Sequence, residues 1–326
     1  MSLRHRGYSL LDSMLDRAVL PGYSRVGYRL RQHQWVGDPA PDALRGKTAM
    51  VTGANSGIGK AIAAGLAALG AHVLLTVRNR ERGEQARDEL AAAHPGAELS
   101  VEVCDVANLR AVRQFGTDLT ARLSGLDLIV HNAGVLPPQR TETVDGHELT
   151  LATHVLGPVL LTELLAPILA KSADPRVILM SSGGMYTQAL PAGDPEYRSG
   201  HYRGASAYAR TKRMQVALTP ILAERLSAQS ISVYCMHPGW ADTPGVADSL
   251  PVFRRLTSPL LRSPEQGADT AVWLAATKPA PPTGQFFHDR RQRPEHYLPV
   301  TRESREDLQR LWQYCARVIG LDDVEG

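Results

Sequence analysis

Apolar and polar positions divide the chain into a regular middle and two less regular ends. From Thr48 onward, short apolar runs alternate with longer segments whose apolar residues recur every three to four positions. The runs Thr48–Thr52 (TAMVT), His72–Val77 (HVLLTV), Leu99–Val103, Asp127–His131 (DLIVH), Arg176–Ser181 (RVILMS) and Ile231–Met236 predict six strands. The segments between them predict helices at about Ile58–Leu69, Glu81–Ala93, Ala107–Leu123, Val144–Lys171 and Gly204–Ala228. Pro158 and Pro167 fall inside the fourth helix, where a ring without an N–H predicts a kink or a break. Strands that alternate with helices are parallel, buried on both faces and joined by right-handed crossovers. The expectation is an α/β fold, one doubly wound parallel sheet with helices on both faces.

The ends read differently. Leu10, Leu11, Met14, Leu15 and Val19 give the first residues some amphipathic character; Tyr23, Tyr28 and Trp35 follow among arginines, then the linker Asp38-Pro39-Ala40-Pro41. In Glu303–Ile319, Leu308, Leu311, Trp312, Cys315, Val318 and Ile319 share a helical face, and Gly320 is the stop. The chain thus divides into an N-terminal arm (1–46), a central domain (47–290) and a C-terminal extension (291–326) with an amphipathic helix. Both ends are expected to pack on the central domain or on another subunit. For the arm, aromatics mixed with arginine also suit peripheral contact with a membrane surface.

Charge narrows the partners. The net charge of +3 resides in residues 1–46, which hold seven Arg and four Asp; the remaining 280 residues balance at 29 basic and 29 acidic. A nucleic-acid-binding domain shows a basic excess, so no nucleic-acid partner is expected. Cys104, Cys235 and Cys315 are odd in number and far apart, which argues against a disulfide framework or a cysteine metal site. No uninterrupted apolar run reaches the roughly 18 residues of a membrane span. The first residues lack the apolar core of a secretory signal. A cytoplasmic protein is expected.

Candidate chemistry begins at Thr52-Gly53-Ala54-Asn55-Ser56-Gly57-Ile58-Gly59, between a predicted strand and a predicted helix. Glycines there let a pyrophosphate approach the backbone, and the helix N-terminus offers free N–H groups. The expected architecture is therefore a single Rossmann domain that binds a dinucleotide. At the end of the second strand, Thr76-Val77-Arg78-Asn79-Arg80 offers arginine and no carboxylate, which favours the 2′-phosphate of NADP(H) over NAD(H). Asp105, next to Val106, follows the third strand, where a carboxylate can take an adenine amino group. Asn132-Ala133-Gly134 follows the fourth, where small residues admit a ribose.

Tyr208 and Lys212 stand one turn apart on a predicted helix. An ammonium beside a phenol lowers the phenol pKa from about 10, making Tyr208 a general acid/base for carbonyl–alcohol interconversion. Ser182, at a strand end, can donate to the substrate carbonyl.

These motifs together resemble the short-chain dehydrogenase/reductase family, from about Gly46 to His288. Pro238-Gly239 after the sixth strand completes the likeness. Ser181-Ser182-Gly183-Gly184-Met185, the run His237–Val246 (HPGWADTPGV), Gln266–Thr270 and Phe286–Arg290 carry a closer likeness to one subgroup. The resemblance implies that Lys212 also holds the nicotinamide ribose, and that the backbone at Pro238 and Gly239, with Thr243, holds the carboxamide. It implies subunit pairing through the long fourth helix and the Tyr208 helix, hence a homo-oligomer. Where the family has an Asn that holds a water linking the Lys to solvent, this chain has His154. The expectation is that His154 takes over that role, titrating near 6.5. His131 replaces the first Asn of Asn-Asn-Ala-Gly and is read as structural.

The 25 residues between Ser182 and Tyr208, with Met185, Tyr186, Leu190, Tyr197, His201 and Tyr202, and the segment Trp240–Leu261 are apolar and irregular. They suggest a lipophilic carbonyl or alcohol substrate. The second reading is a dinucleotide-binding regulatory or scaffold protein without turnover.

Overall fold

The central strands of the sheet alternate their side chains between two cores, which is why their apolar runs are nearly continuous. In the computed structural model, which describes residue 12 and residues 15–35, 37–242 and 257–321, the strands are β1 (Thr48–Thr52), β2 (His72–Val77), β3 (Leu99–Val103), β4 (Leu128–His131), β5 (Arg176–Met180), β6 (Ser232–Met236), β7 (Gln285–His288) and β8 (Arg291–Gln292). They form one sheet in the order β3-β2-β1-β4-β5-β6-β7-β8. All pairs are parallel except β7–β8, where Asp289 and Arg290 reverse the chain at φ 49° and 57°. Met50, Ile129, Val177, Leu179, Val233 and Cys235 face one core. Their neighbours Ala49, Val51, Val130, Ile178, Tyr234 and Met236 face the other.

Two short helices of the arm, α1 (Val19–Tyr23) and α2 (Arg25–Gln32), precede the sheet. On its two faces lie α3 (Gly57–Ala68), α4 (Arg80–Ala93), α5 (Leu109–Arg122), α6 (Leu149–Leu169), α7 (Gly204–Arg225), α8 (Pro264–Ala276) and α9 (Arg305–Ile319). Asn79 and Asn108 cap α4 and α5, and Ser263 and Ser304 open α8 and α9 with capping boxes.

The sequence pattern starts the fourth helix at about Val144 and predicts a kink or a break at its prolines. It begins instead where Glu148, almost fully buried, accepts the N–H groups of Thr150 and Leu151 at 2.9 and 2.7 Å. Ala152–Leu156 is wound as a π turn, and the helix continues through Pro158 and Pro167. The extra residue in the ladder absorbs what the missing N–H of Pro158 would have broken. This helix is long and apolar enough to cross a bilayer by length and composition, but 83% of its most apolar window is buried inside the domain.

The aromatic part of the arm packs on the body. Tyr23, Tyr28 and Arg31 are buried, and Trp35 lies under Arg290, whose guanidinium carbon is 4.1 Å from the ring centroid. Arg17, Arg25 and Arg29 of the arm, by contrast, are exposed, as are Val26 and Leu30. Asp12, Asp16 and Asp289 meet Arg31, Arg262 and Arg293 in one buried cluster, with Arg31–Asp12 at 2.7 Å, Arg31–Asp289 at 2.8 Å and Arg262–Asp289 at 2.6 Å. At the other end, α9 buries Leu311, Cys315 and Ile319 against α7 and the π turn, with Arg225 stacked 4.6 Å from the Trp312 centroid. This packing places α9 of the same chain against α7 and the π turn of α6, the two helices of the expected subunit pairing.

Candidate active site

β1 ends in a turn that only glycine permits. Gly53 sits at φ +68°, and a Cβ there would meet the Ala133 Cα at 2.9 Å. A Cβ on Gly59 would strike the Gly53 carbonyl oxygen at 2.3 Å. Ala54, Asn55, Ser56, Gly57 and Ile58 complete the loop into α3. Ser56 at the N-cap makes no side-chain bond to the first turn, so the helix N–H groups there are not taken by a cap. Across the loop, the Asn132 Nδ2 donates to the Thr52 carbonyl at 3.0 Å, and the Thr52 hydroxyl accepts the N–H groups of Asn132 and Ala133. Asn132 thus holds the glycine loop in place. Gly134, farther on, is exposed.

Arg78 and Asn79 are exposed at the end of β2, and the Asn79 side chain is occupied in capping α4. Arg80 lies 3.6 Å from Glu84 on the first turn of α4. Asp105 is exposed at the end of β3 and accepts the Ala107 N–H, with Val106 buried beside it. These positions line the carboxyl edge of the sheet on either side of the β1–β4 switch, where doubly wound folds bind dinucleotides. The cradle fits a pyrophosphate, and the exposed arginine fits a phosphate on the ribose.

The chemical groups come from the next strands. Tyr208 is half-buried on α7; its ring is edge-on to His154 with centroids 5.2 Å apart, and Ser182, whose hydroxyl accepts the Gly184 N–H at 3.3 Å, is its polar neighbour. Lys212 is buried on the same helix face, its Nζ 5.4 Å from the Tyr208 ring centroid. The ammonium donates to the Met180 carbonyl at 2.6 Å and to Gln215 Oε1 at 3.0 Å. The expected lowering of the phenol is not what this geometry gives. Burial pushes Tyr208 up to about 12, offset only in part by Ser182, and burial pushes Lys212 down to about 7. The lysine is held by a carbonyl and an amide, so it does little for the phenol here.

His154 also departs from expectation. It is fully buried; its Nε2 accepts the Val135 N–H at 3.0 Å, which leaves the proton on Nδ1, 2.8 Å from the Thr211 hydroxyl. Both ring nitrogens are committed, so the imidazole has none left for a relay water. Burial and then the Lys212 charge hold it neutral, well below 6.5. His131 is buried and bonded to Thr162 at 2.8 Å, as a structural residue would be.

Pro238 and Gly239 sit beside the arm. A Cβ on Gly183 would come within 2.5 Å of the Tyr23 ring, and one on Gly239 within 2.7 Å of the Tyr23 carbonyl oxygen. Tyr23 therefore wedges between the loop after Ser182 and the loop after Pro238, a contact no motif announces. Thr243, and with it most of the proposed apolar segment Trp240–Leu261, lies outside the described residues. Much of the insertion after Ser182 proves to be packing: Met185 and Tyr186 are buried, with the Tyr186 hydroxyl on the Pro294 carbonyl. Tyr202 bonds Glu148, and Tyr197 lies under Arg210. A cavity of about 580 Å³ lies away from Tyr208, between Ala192–Glu196 and the Tyr314–Val318 face of α9.

Comparison with known proteins agrees with this geometry. A family model described as short chain dehydrogenase matches residues 47–251. The chain is 40% identical over 284 residues to Dehydrogenase/reductase SDR family member 12 from Bos taurus, covering 86% of this chain and 88% of that protein. It is 32% identical over 314 residues to Retinol dehydrogenase 14 from Mus musculus, covering 90% and 92%. Among solved structures, one described as a candidate NAD(P)-dependent gluconate 5-dehydrogenase from Beutenbergia cavernae, with NADP at low occupancy, superposes with a TM-score of 0.62. It is 26% identical and covers 76% of this chain and 96% of that one.

Proposed function

Because the chain belongs to the short-chain dehydrogenase/reductase family, we propose that it uses NADP(H) to interconvert a carbonyl and an alcohol on a lipophilic small molecule. Tyr208 is the general acid/base. The single observation that carries the reading is the half-buried Tyr208 with the buried Lys212 Nζ 5.4 Å from its ring centroid, on the same sheet edge as the glycine cradle. When bound, the nicotinamide supplies or accepts the hydride. Gly53, Gly57 and Gly59 leave room for the pyrophosphate, and Arg78, with no carboxylate at the end of β2, favours the 2′-phosphate. Ser182 orients the substrate oxygen, and Tyr208 moves the proton.

A phenol raised to about 12 is protonated at neutral pH, so the resting site is charged with an acid and suits carbonyl reduction better than alcohol oxidation. The lipophilic substrate rests on the likeness to a protein named for retinol. NADPH and NADH binding followed by fluorescence, then turnover on retinal and on aliphatic and aromatic aldehydes, tests the reading. Wild-type protein should prefer NADPH, and Tyr208→Phe should lose roughly 10³-fold in kcat while still binding it. Binding without turnover on any carbonyl, with no effect of Tyr208→Phe, would favour the non-catalytic alternative.

A further inference from the structure

Gln215 belongs to no motif, yet it lies one turn beyond Lys212 on α7 and is 2% exposed. Its side chain joins two groups. Oε1 accepts from the Lys212 ammonium at 3.0 Å, and Nε2 donates to the His154 main-chain carbonyl at 2.8 Å. Chemistry fixes the orientation of the amide: an ammonium only donates and a carbonyl only accepts, so the reverse assignment would leave both bonds unmade. The His154 carbonyl is free to accept because its α-helical partner would be residue 158, a proline without an N–H. The π turn, Pro158 and Gln215 thus form one device.

We propose that Gln215 is a positioning residue that spans Lys212 and the carbonyl of residue 154 with a built-in amide, in place of the water expected of the family at that point. This rests on the oxidoreductase reading above. A carboxamide is neither acid nor base near neutral pH, so the link fixes the ammonium but passes no proton. Lys212 is sealed from solvent on the α6 side. The proton that Tyr208 gives up is then not resupplied through this link. The groups facing the Lys212 ammonium are Tyr208 on its own helix, His154 on α6, the Met180 carbonyl on β5 and Cys235 on β6. Among the described residues no carboxylate pairs with it, so the Gln215 oxygen is one of two acceptors that favour its charge.

The chain has five lysines, so lysine-selective NMR of the unliganded protein resolves Lys212, assigned by its disappearance in Lys212→Met. Replacing the acceptor in Gln215→Leu should lower the Lys212 ionisation midpoint by about one pH unit, tenfold in the constant. Gln215→Glu, which keeps the shape and adds charge, should raise it by at least as much. At pH 6 the Lys212 ammonium protons should exchange with water more slowly than those of the other lysines, and this protection should vanish in Gln215→Ala. Midpoints within about 0.2 unit of wild type in both the Leu and Glu variants, or unprotected ammonium protons in wild type, would overturn the proposal. If the shifts appear but wild type turns over no carbonyl, the bridge stands and the oxidoreductase reading fails.

Discussion

The molecule buries two sets of ionisable groups, and it treats their charge in opposite ways. Around Tyr208, Lys212 and His154 the partners are carbonyls, hydroxyls and an amide, and burial drives every group toward its neutral form. Where the arm meets the body, three carboxylates face three buried guanidiniums, with the exposed Arg291 also on Asp12, and the Arg262 charge holds Asp289 ionised far below the ordinary range despite its burial. Asp16 marks the limit of that pairing. Burial outweighs Arg293 and Arg31, and Asp12 and Asp289 add repulsion, so its carboxyl is pushed up. Loss of water alone neutralises a side chain; loss of water with a matched counter-charge locks it. The first arrangement suits a site that must move a proton, the second a joint that must not move.

The largest expected effect breaks the locked side. Arg262→Met strands Asp289 without its strongest partner and should cost about 3–5 kcal/mol, a fall of on the order of 10 °C in Tm. An unchanged melting curve would mean that the cluster is not paired in solution. Acid comes next, and its sign follows from the directions. His131 and His288 are held down to about 3, and His154 and His237 well below 6.5. Their folded-state pKa values lie below the unfolded value, so the stability they give is present above about 6.5 and is lost as pH falls. Asp12 and Asp289, also lowered, add their loss only below about 4. Tm measured from pH 7.5 to 4.5 should therefore decline from near pH 6.5; a flat profile down to 4.5 would mean that these imidazoles are not buried neutral.

Smaller changes sharpen the contrast. Asp16→Asn removes a carboxyl already disfavoured by its neighbours and should cost about 1 kcal/mol, far less than Arg262→Met. Equal losses would erase the distinction drawn within the cluster. Smallest of all is Lys212→Met, which removes a buried amine that no carboxylate supports; its Tm should match or exceed wild type while carbonyl reduction is abolished. A large drop in Tm would show that Lys212 is paired more strongly than its carbonyl and amide partners allow.

The sheet was legible because each apolar run is confined between turns, and β1 to β6 fall within a residue of their expected ends. The glycine cradle and the Ser182, Tyr208 and Lys212 set were legible because their spacing is local. Strand β7 was not, since Gln285–His288 is four residues long and β8 only two. The arm joint was not, since Arg31 and Asp289 are 258 positions apart and no periodicity links them. The pKa of Tyr208 was misjudged for a related reason: a lysine four residues away is visible in the sequence, but the Met180 carbonyl that takes its ammonium is not. Gln215 reads as an ordinary helical residue until the π turn exposes the carbonyl it meets.

Helix α9 has a consequence for how the protein behaves on dilution. A surface covered by a neighbouring molecule is uncovered when the solution is thin enough for the pair to part. A surface covered by a segment of the same polypeptide meets a local concentration set by its tether, which dilution leaves unchanged. The shielding of α7 and the π turn by Leu311, Trp312, Cys315 and Ile319 is therefore a property of the single chain, as constant at nanomolar as at millimolar.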